Sequence, residues 1–115
     1  MATKTTGVLL APHPPDGSVT LRIDLRNYGS RSHQMQVTVN RFLHVGRKSR
    51  VLRREITVNP GAVNFFQIEQ LQGAAVEVLV QGSQSVRPSV ALIHEKRHSD
   101  YSVLLQIPPG MFSTL

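Results

Sequence analysis

Val19-Thr20-Leu21-Arg22-Ile23-Asp24-Leu25-Arg26 alternates apolar and polar residues without a break. Successive side chains of a strand point to opposite faces, so this run has one buried face and one wet face. A helix would bring Leu21 and Leu25 together and set Ile23 across from them. The same period returns in Gln34-Met35-Gln36-Val37-Thr38-Val39-Asn40. β-branched residues are frequent in both runs and suit a pleated surface.

Turn signals bound these runs at regular intervals. Pro14-Pro15-Asp16-Gly17 precedes the first, and Asn27-Tyr28-Gly29-Ser30 ends it. Val45-Gly46-Arg47-Lys48-Ser49, Gln72-Gly73, Gly82-Ser83 and His98-Ser99-Asp100 follow. Asn59-Pro60-Gly61 is the sharpest signal, because Pro then Gly at the two central positions favours a type II turn. Strands are predicted over 6–11, 18–28, 33–45, 50–58, 62–70, 74–81, 86–95 and 101–107. No helical stripe and no internal repeat is present. The fold class is therefore all-β: one two-sheet antiparallel sandwich, jelly-roll or immunoglobulin-like, of about eight strands. Its predicted core is Leu21, Ile23, Leu25, Val37, Val39, Ile56, Phe65, Val78, Val80, Leu92, Val103 and Leu105. Ser89-Val90-Ala91-Leu92-Ile93 and Val103-Leu104-Leu105 are apolar on both faces, which predicts a cover from a loop, the N-terminal segment or another subunit.

The chain of 115 residues has room for one domain. It has no cysteine, which excludes disulfides, thiolate metal sites and cysteine nucleophiles. No apolar run is long enough to span a membrane. The N-terminus lacks the pattern of a signal peptide, so the protein is expected to be made in the cytoplasm. The seven acidic residues form no paired set, and no nucleophile elbow or phosphate loop is present. Five histidines occur: His13, His33, His44, His94 and His98. His94 and His98 have a zinc-binding spacing only on a helix, and here they fall where a strand enters a turn. We expect no enzyme, no metal and no cofactor.

Two features bear on function. Residues 1–17 read as an extended arm ahead of a sandwich at 18–115. Val8, Leu9, Leu10 and Ala11 have strand character but are cut off by Pro12, Pro14 and Pro15. They read either as a first strand in their own sheet or as a donor strand for a neighbouring subunit. Val8 and Leu10, or Leu9 and Ala11 after a slip of one residue, would fill the acceptor's pockets. Separately, Arg41, Arg47, Lys48, Arg50, Arg53 and Arg54 are six of 13 basic residues in a chain of net charge +6. Such a cluster fits nucleic acid or another polyanion, or simply a charged hairpin that guards a sheet edge. Only Phe42 interleaves it, whereas single-strand readers stack bases on several aromatic rings.

An N-terminal extended segment, Val19–Asn27 leading into His33–Val39, and the Val58-Asn59-Pro60-Gly61 hairpin together resemble the small β-sandwich proteins of endospore-forming bacteria, including the jelly-roll subunits of endospore appendages. The likeness covers about residues 6–107. It implies a non-catalytic surface subunit that assembles with copies of itself into a ring or filament. Those appendage subunits are cross-linked through cysteines in the arm, which this chain lacks. The alternative is a small basic binding module for a polyanion.

Overall fold

The computed structural model describes residues 2–42, 47–96 and 101–115. Ten strands run in chain order: β1 (Ala2–Thr5), β2 (Leu9–Leu10), β3 (Ser18–Asn27), β4 (His33–Phe42), β5 (Lys48–Val58), β6 (Val63–Ile68), β7 (Ala75–Gly82), β8 (Val86–Glu95), β9 (Tyr101–Ile107) and β10 (Ser113–Thr114). A 3₁₀ turn at Pro109–Met111 joins the last two. One sheet has the order β10-β1-β7-β4-β5, with β2 also on β7; the other is β6-β3-β8-β9. Every pairing is antiparallel. The protein is an all-β two-sheet sandwich, as the alternation predicts.

The inner faces supply the core. Val19, Leu21, Ile23 and Leu25 of β3 are fully buried, as are Val37 and Val39 of β4 and Val76 and Val78 of β7; Met35, Val80 and Leu92 are nearly so. Three residues expected in the core lie outside it. Phe65 pairs with Asp24 on the outer face, and its neighbour Phe66, opposite Ile23, packs inward instead. Two adjacent phenylalanines give no alternation from which to choose the face. Val103 pairs with Ile93 and Leu105 with Leu92, so Leu104 is an extra, bulged residue. The bulge puts Val103 on the outer face. Leu105 faces inward, but on the last strand of its sheet it stays 37% exposed. Ile56 is half-buried against the core.

The N-terminal segment belongs to the sandwich. Thr5 pairs with Leu79, yet Leu9 pairs with Val76, so the segment carries one residue more than β7 opposite it. Gly7 absorbs the extra residue at φ 71°, a conformation that favours glycine. Both neighbouring threonines stitch this bulge. Val78 N–H donates to the Thr6 hydroxyl, 3.0 Å, and Gly7 N–H to the Thr5 hydroxyl, 3.0 Å. Beyond it, Ala11 N–H donates to the Ala74 carbonyl, 2.8 Å. Leu9 and Ala11 are buried in the chain's own core, while Val8 and Leu10 stand exposed. This corrects the expectation of a donor arm separate from 18–115. One side of the segment's backbone already bonds to β7, and the two inward side chains already have their pocket.

Where the chain passes between sheets, a single side chain ties the connections. Asn27 is 1% exposed. Its Nδ2 donates to the Arg31 carbonyl at 2.7 Å and the Val58 carbonyl at 2.8 Å, and its Oδ1 accepts from Gly29 N–H at 2.8 Å. Its backbone bonds the Asn59–Ala62 turn through Ala62 and Gly61. In that turn Ala62 N–H donates to the Asn59 carbonyl and Gly61 sits at φ 72°, matching the predicted type II turn.

Two stability contrasts follow from these contacts. Leu9→Ala should destabilise by about 2–4 kcal/mol, as buried leucine truncations do, while Leu10→Ala should change stability by less than about 0.5 kcal/mol. Asn27→Ala leaves buried carbonyls and an N–H without partners and should cost about 2–4 kcal/mol. Urea unfolding followed by circular dichroism measures both; equal effects at Leu9 and Leu10 would contradict the bulged register.

Candidate functional site

Paired residues of adjacent strands share a face, so register alone divides the surface. The basic cluster does not form one patch. Arg50 and Arg53 of β5 stand with Asn40 and Thr38 on the outer face of their sheet. Arg54 pairs with Val37 and Arg41 with Val76, which places both on the inner side, at the sandwich rim. Arg47 is exposed just ahead of β5. Lys48 is engaged: its Nζ lies 2.8 Å from Glu77 Oε1 and 5.6 Å from the centre of the Phe42 ring. Arg53 donates to Gln36 Oε1 at 3.4 Å.

Glu77 anchors this part of the face. Burial alone would push its carboxyl up, but hydrogen bonds from Lys48 and Asn40, together with the Lys48 charge, outweigh burial and hold it below the ordinary carboxylate value. Farther along the same strands, Gln34, Met35, Gln36, Glu55 and Gln81 line a depression of about 360 Å³.

Histidines take separate places. His94 is 6% exposed, and its Nε2–H donates to the Asp16 carbonyl at 2.7 Å, holding the loop before β3 against the end of β8. His13 is exposed and His33 half-buried. His44 and His98 lie outside the described residues. Among the described residues no group of three or more His, Asp or Glu side chains could hold a metal ion. Among the described residues no helix is long and apolar enough to cross a membrane.

The second sheet presents different surfaces. At its edge, β9 exposes Tyr101 at 69%, Val103 at 56% and Leu104 at 40%. Residues 101–115 carry no charged side chain. The opposite edge, β6, is also uncharged and exposes Val63 and Phe65. Across the outer face between them, arginines lie on aromatic rings. Arg22 sits 4.4 Å from the centre of Phe65, while Arg26 and Arg87 each sit 5.0 Å from the centre of Tyr28. Composition hides this arrangement, because these residues are scattered along β3, the turn after it, β6 and β8. Only the register, Arg26 opposite Arg87 and Asp24 opposite Phe65, assembles them.

No family model matches the chain, and no curated protein matches its sequence. Among solved structures, the crystal structure of Thermotoga maritima 1070 is similar, with a TM-score of 0.60 at 10% identity over 93% of this chain and 90% of that one. At that identity the likeness extends to the fold alone.

Glu77 gives a pH-dependent expectation. Its folded value is lowered, so its stabilising effect is present above the ordinary carboxylate range and lost as pH falls through the folded value. Lys48→Met should flatten the stability change between about pH 5 and pH 2. Melting temperature against pH, for this variant and the parent, measures it.

Proposed function

We propose that the protein is a non-catalytic structural subunit that associates with further copies of itself by extending the β6-β3-β8-β9 sheet. The observation that carries this reading is β9: a seven-residue edge strand without charge or proline, apolar on both faces and exposed. A row of unpaired backbone groups on such a strand is a template for another strand. The other sheet is guarded in the usual ways. Its edge β5 carries Lys48, Arg50, Arg53 and Arg54, and its other edge, β10, is two residues long.

A second copy is the occupant the edges favour. β9 and β6 are opposite edges of one sheet, seven and six residues long, and neither is charged. Pairing β9 of one copy with β6 of the next is head-to-tail, which yields a ring if the rotation closes and a filament if it does not. Main-chain hydrogen bonds would supply affinity, and Val103 and Tyr101 would meet the neighbour's outer-face Val63 and Phe65. The resemblance to endospore appendage subunits supports the same reading and a spore-surface location. The N-terminal segment takes no part, since it completes its own sheet.

Light scattering and negative-stain microscopy test this. The parent protein should be larger than a monomer, and Val103→Lys should return it to monomer with its circular dichroism unchanged. Phe65→Lys should do the same if association is head-to-tail, and leave a β9–β9 dimer intact if it is not. A parent that stays monomeric at high concentration would overturn the proposal.

A further inference from the structure

Arg26 and Arg87 are directly opposed across β3 and β8 and point to the same, outer face. Like charges in that position repel. Both guanidinium groups nevertheless converge on one ring, each 5.0 Å from the centre of Tyr28. Among the described residues neither forms an ion pair with a carboxylate, whereas Arg22 on the same face pairs with Asp24 at 3.2 Å. The Tyr28 backbone is anchored, since its N–H donates to the Ser85 carbonyl at 2.9 Å and it follows the buried Asn27, while its ring is exposed. Arg87 also lines a cavity of about 220 Å³ with Lys4, Pro109 and Gly110. Among the described residues, two cations and no acid border that space.

We propose that Arg26 and Arg87 form a binding site for a tetrahedral oxyanion, with Lys4 bordering the depression beside Arg87 and a phosphate monoester as the ligand class. Two planar guanidinium forks supply paired N–H donors suited to phosphate oxygens. The cation–π contacts to Tyr28 hold both forks at one ring and offset part of their repulsion. An anion between them removes the rest. A doubly charged group gains more from the arginine pair than a carboxylate or chloride does. Pro109 and Gly110 of the 3₁₀ turn border the same depression as Arg87. This site is separate from the β9 edge, so it stands or falls independently of self-association.

Isothermal titration and NMR titration of the full chain test it, with inorganic phosphate, glucose 6-phosphate and sulfate as probes at constant ionic strength. Saturable binding of inorganic phosphate is expected, with glucose 6-phosphate at least as tight if the ligand is an ester and weaker if the site takes only the free ion. Arg87→Gln and Arg26→Gln should each weaken phosphate binding about tenfold or more, the loss expected of a charged hydrogen bond. Either variant should fold at least as stably as the parent at low salt, because it relieves the arginine pair. Arg50→Gln, on the other sheet, should bind as the parent does. Non-saturable shifts matched by sodium chloride, or unchanged binding in both the Arg26 and Arg87 variants, would overturn the proposal.

Discussion

Both passages of the chain between the two sheets at this end are fixed by the bonds that converge on Asn27. There β3 leaves one sheet for β4 in the other, and there too the β5–β6 turn returns. A buried amide that donates to Arg31 and Val58 and accepts from Gly29 fixes both passages at once. Its backbone bonds to Gly61 and Ala62 do the same for the returning turn. Strand register has a period of two, so a slip of one residue would turn an inner face outward. Asn27 sets the start from which Leu25, Ile23, Leu21 and Val19 count inward on β3 and Met35, Val37 and Val39 on β4. It also places Tyr28 at the margin of the outer face, where Arg26 and Arg87 meet it.

The two sheets manage their edges differently. One ends in a basic strand and in a two-residue strand, both of which discourage further pairing. The other ends in β9 and β6, which are uncharged and exposed. The basic hairpin, the most conspicuous charge feature of the sequence, lies along one of these edges, β5. Its charges divide between the two faces of β5, and Lys48 is committed to Glu77. Charge density along a strand does not become charge density on a surface, because alternate side chains leave in opposite directions.

The N-terminal segment shows how one residue redirects a chain. Without a bulge, Thr5 and Leu9 would share a face. With Gly7 inserted, Leu9 and Ala11 turn inward and complete the core beside Val76. Proline brackets in the sequence point to an extended segment, and the segment is extended. What it pairs with depends on β7, whose free side lies within reach of a chain folding back through a single bulge.

By itself the sequence determined the all-β class, the positions of most strands, the type II turn at Asn59–Ala62 and the inward rows of β3, β4 and β7. These are local: alternation and turn chemistry are read within a few residues. Tertiary structure alone decided the rest. The sequence holds no sign of which of Phe65 and Phe66 faces inward, nor that Leu104 bulges and sends Val103 out. It does not show that Arg87 meets Arg26 and Tyr28 from a distant strand, or that Lys4 borders the same depression as Arg87. Cross-strand neighbours and the exposure of an edge are set by pairing between distant segments, and the choice of partner strand is made by the closing of the whole sandwich around its shared core.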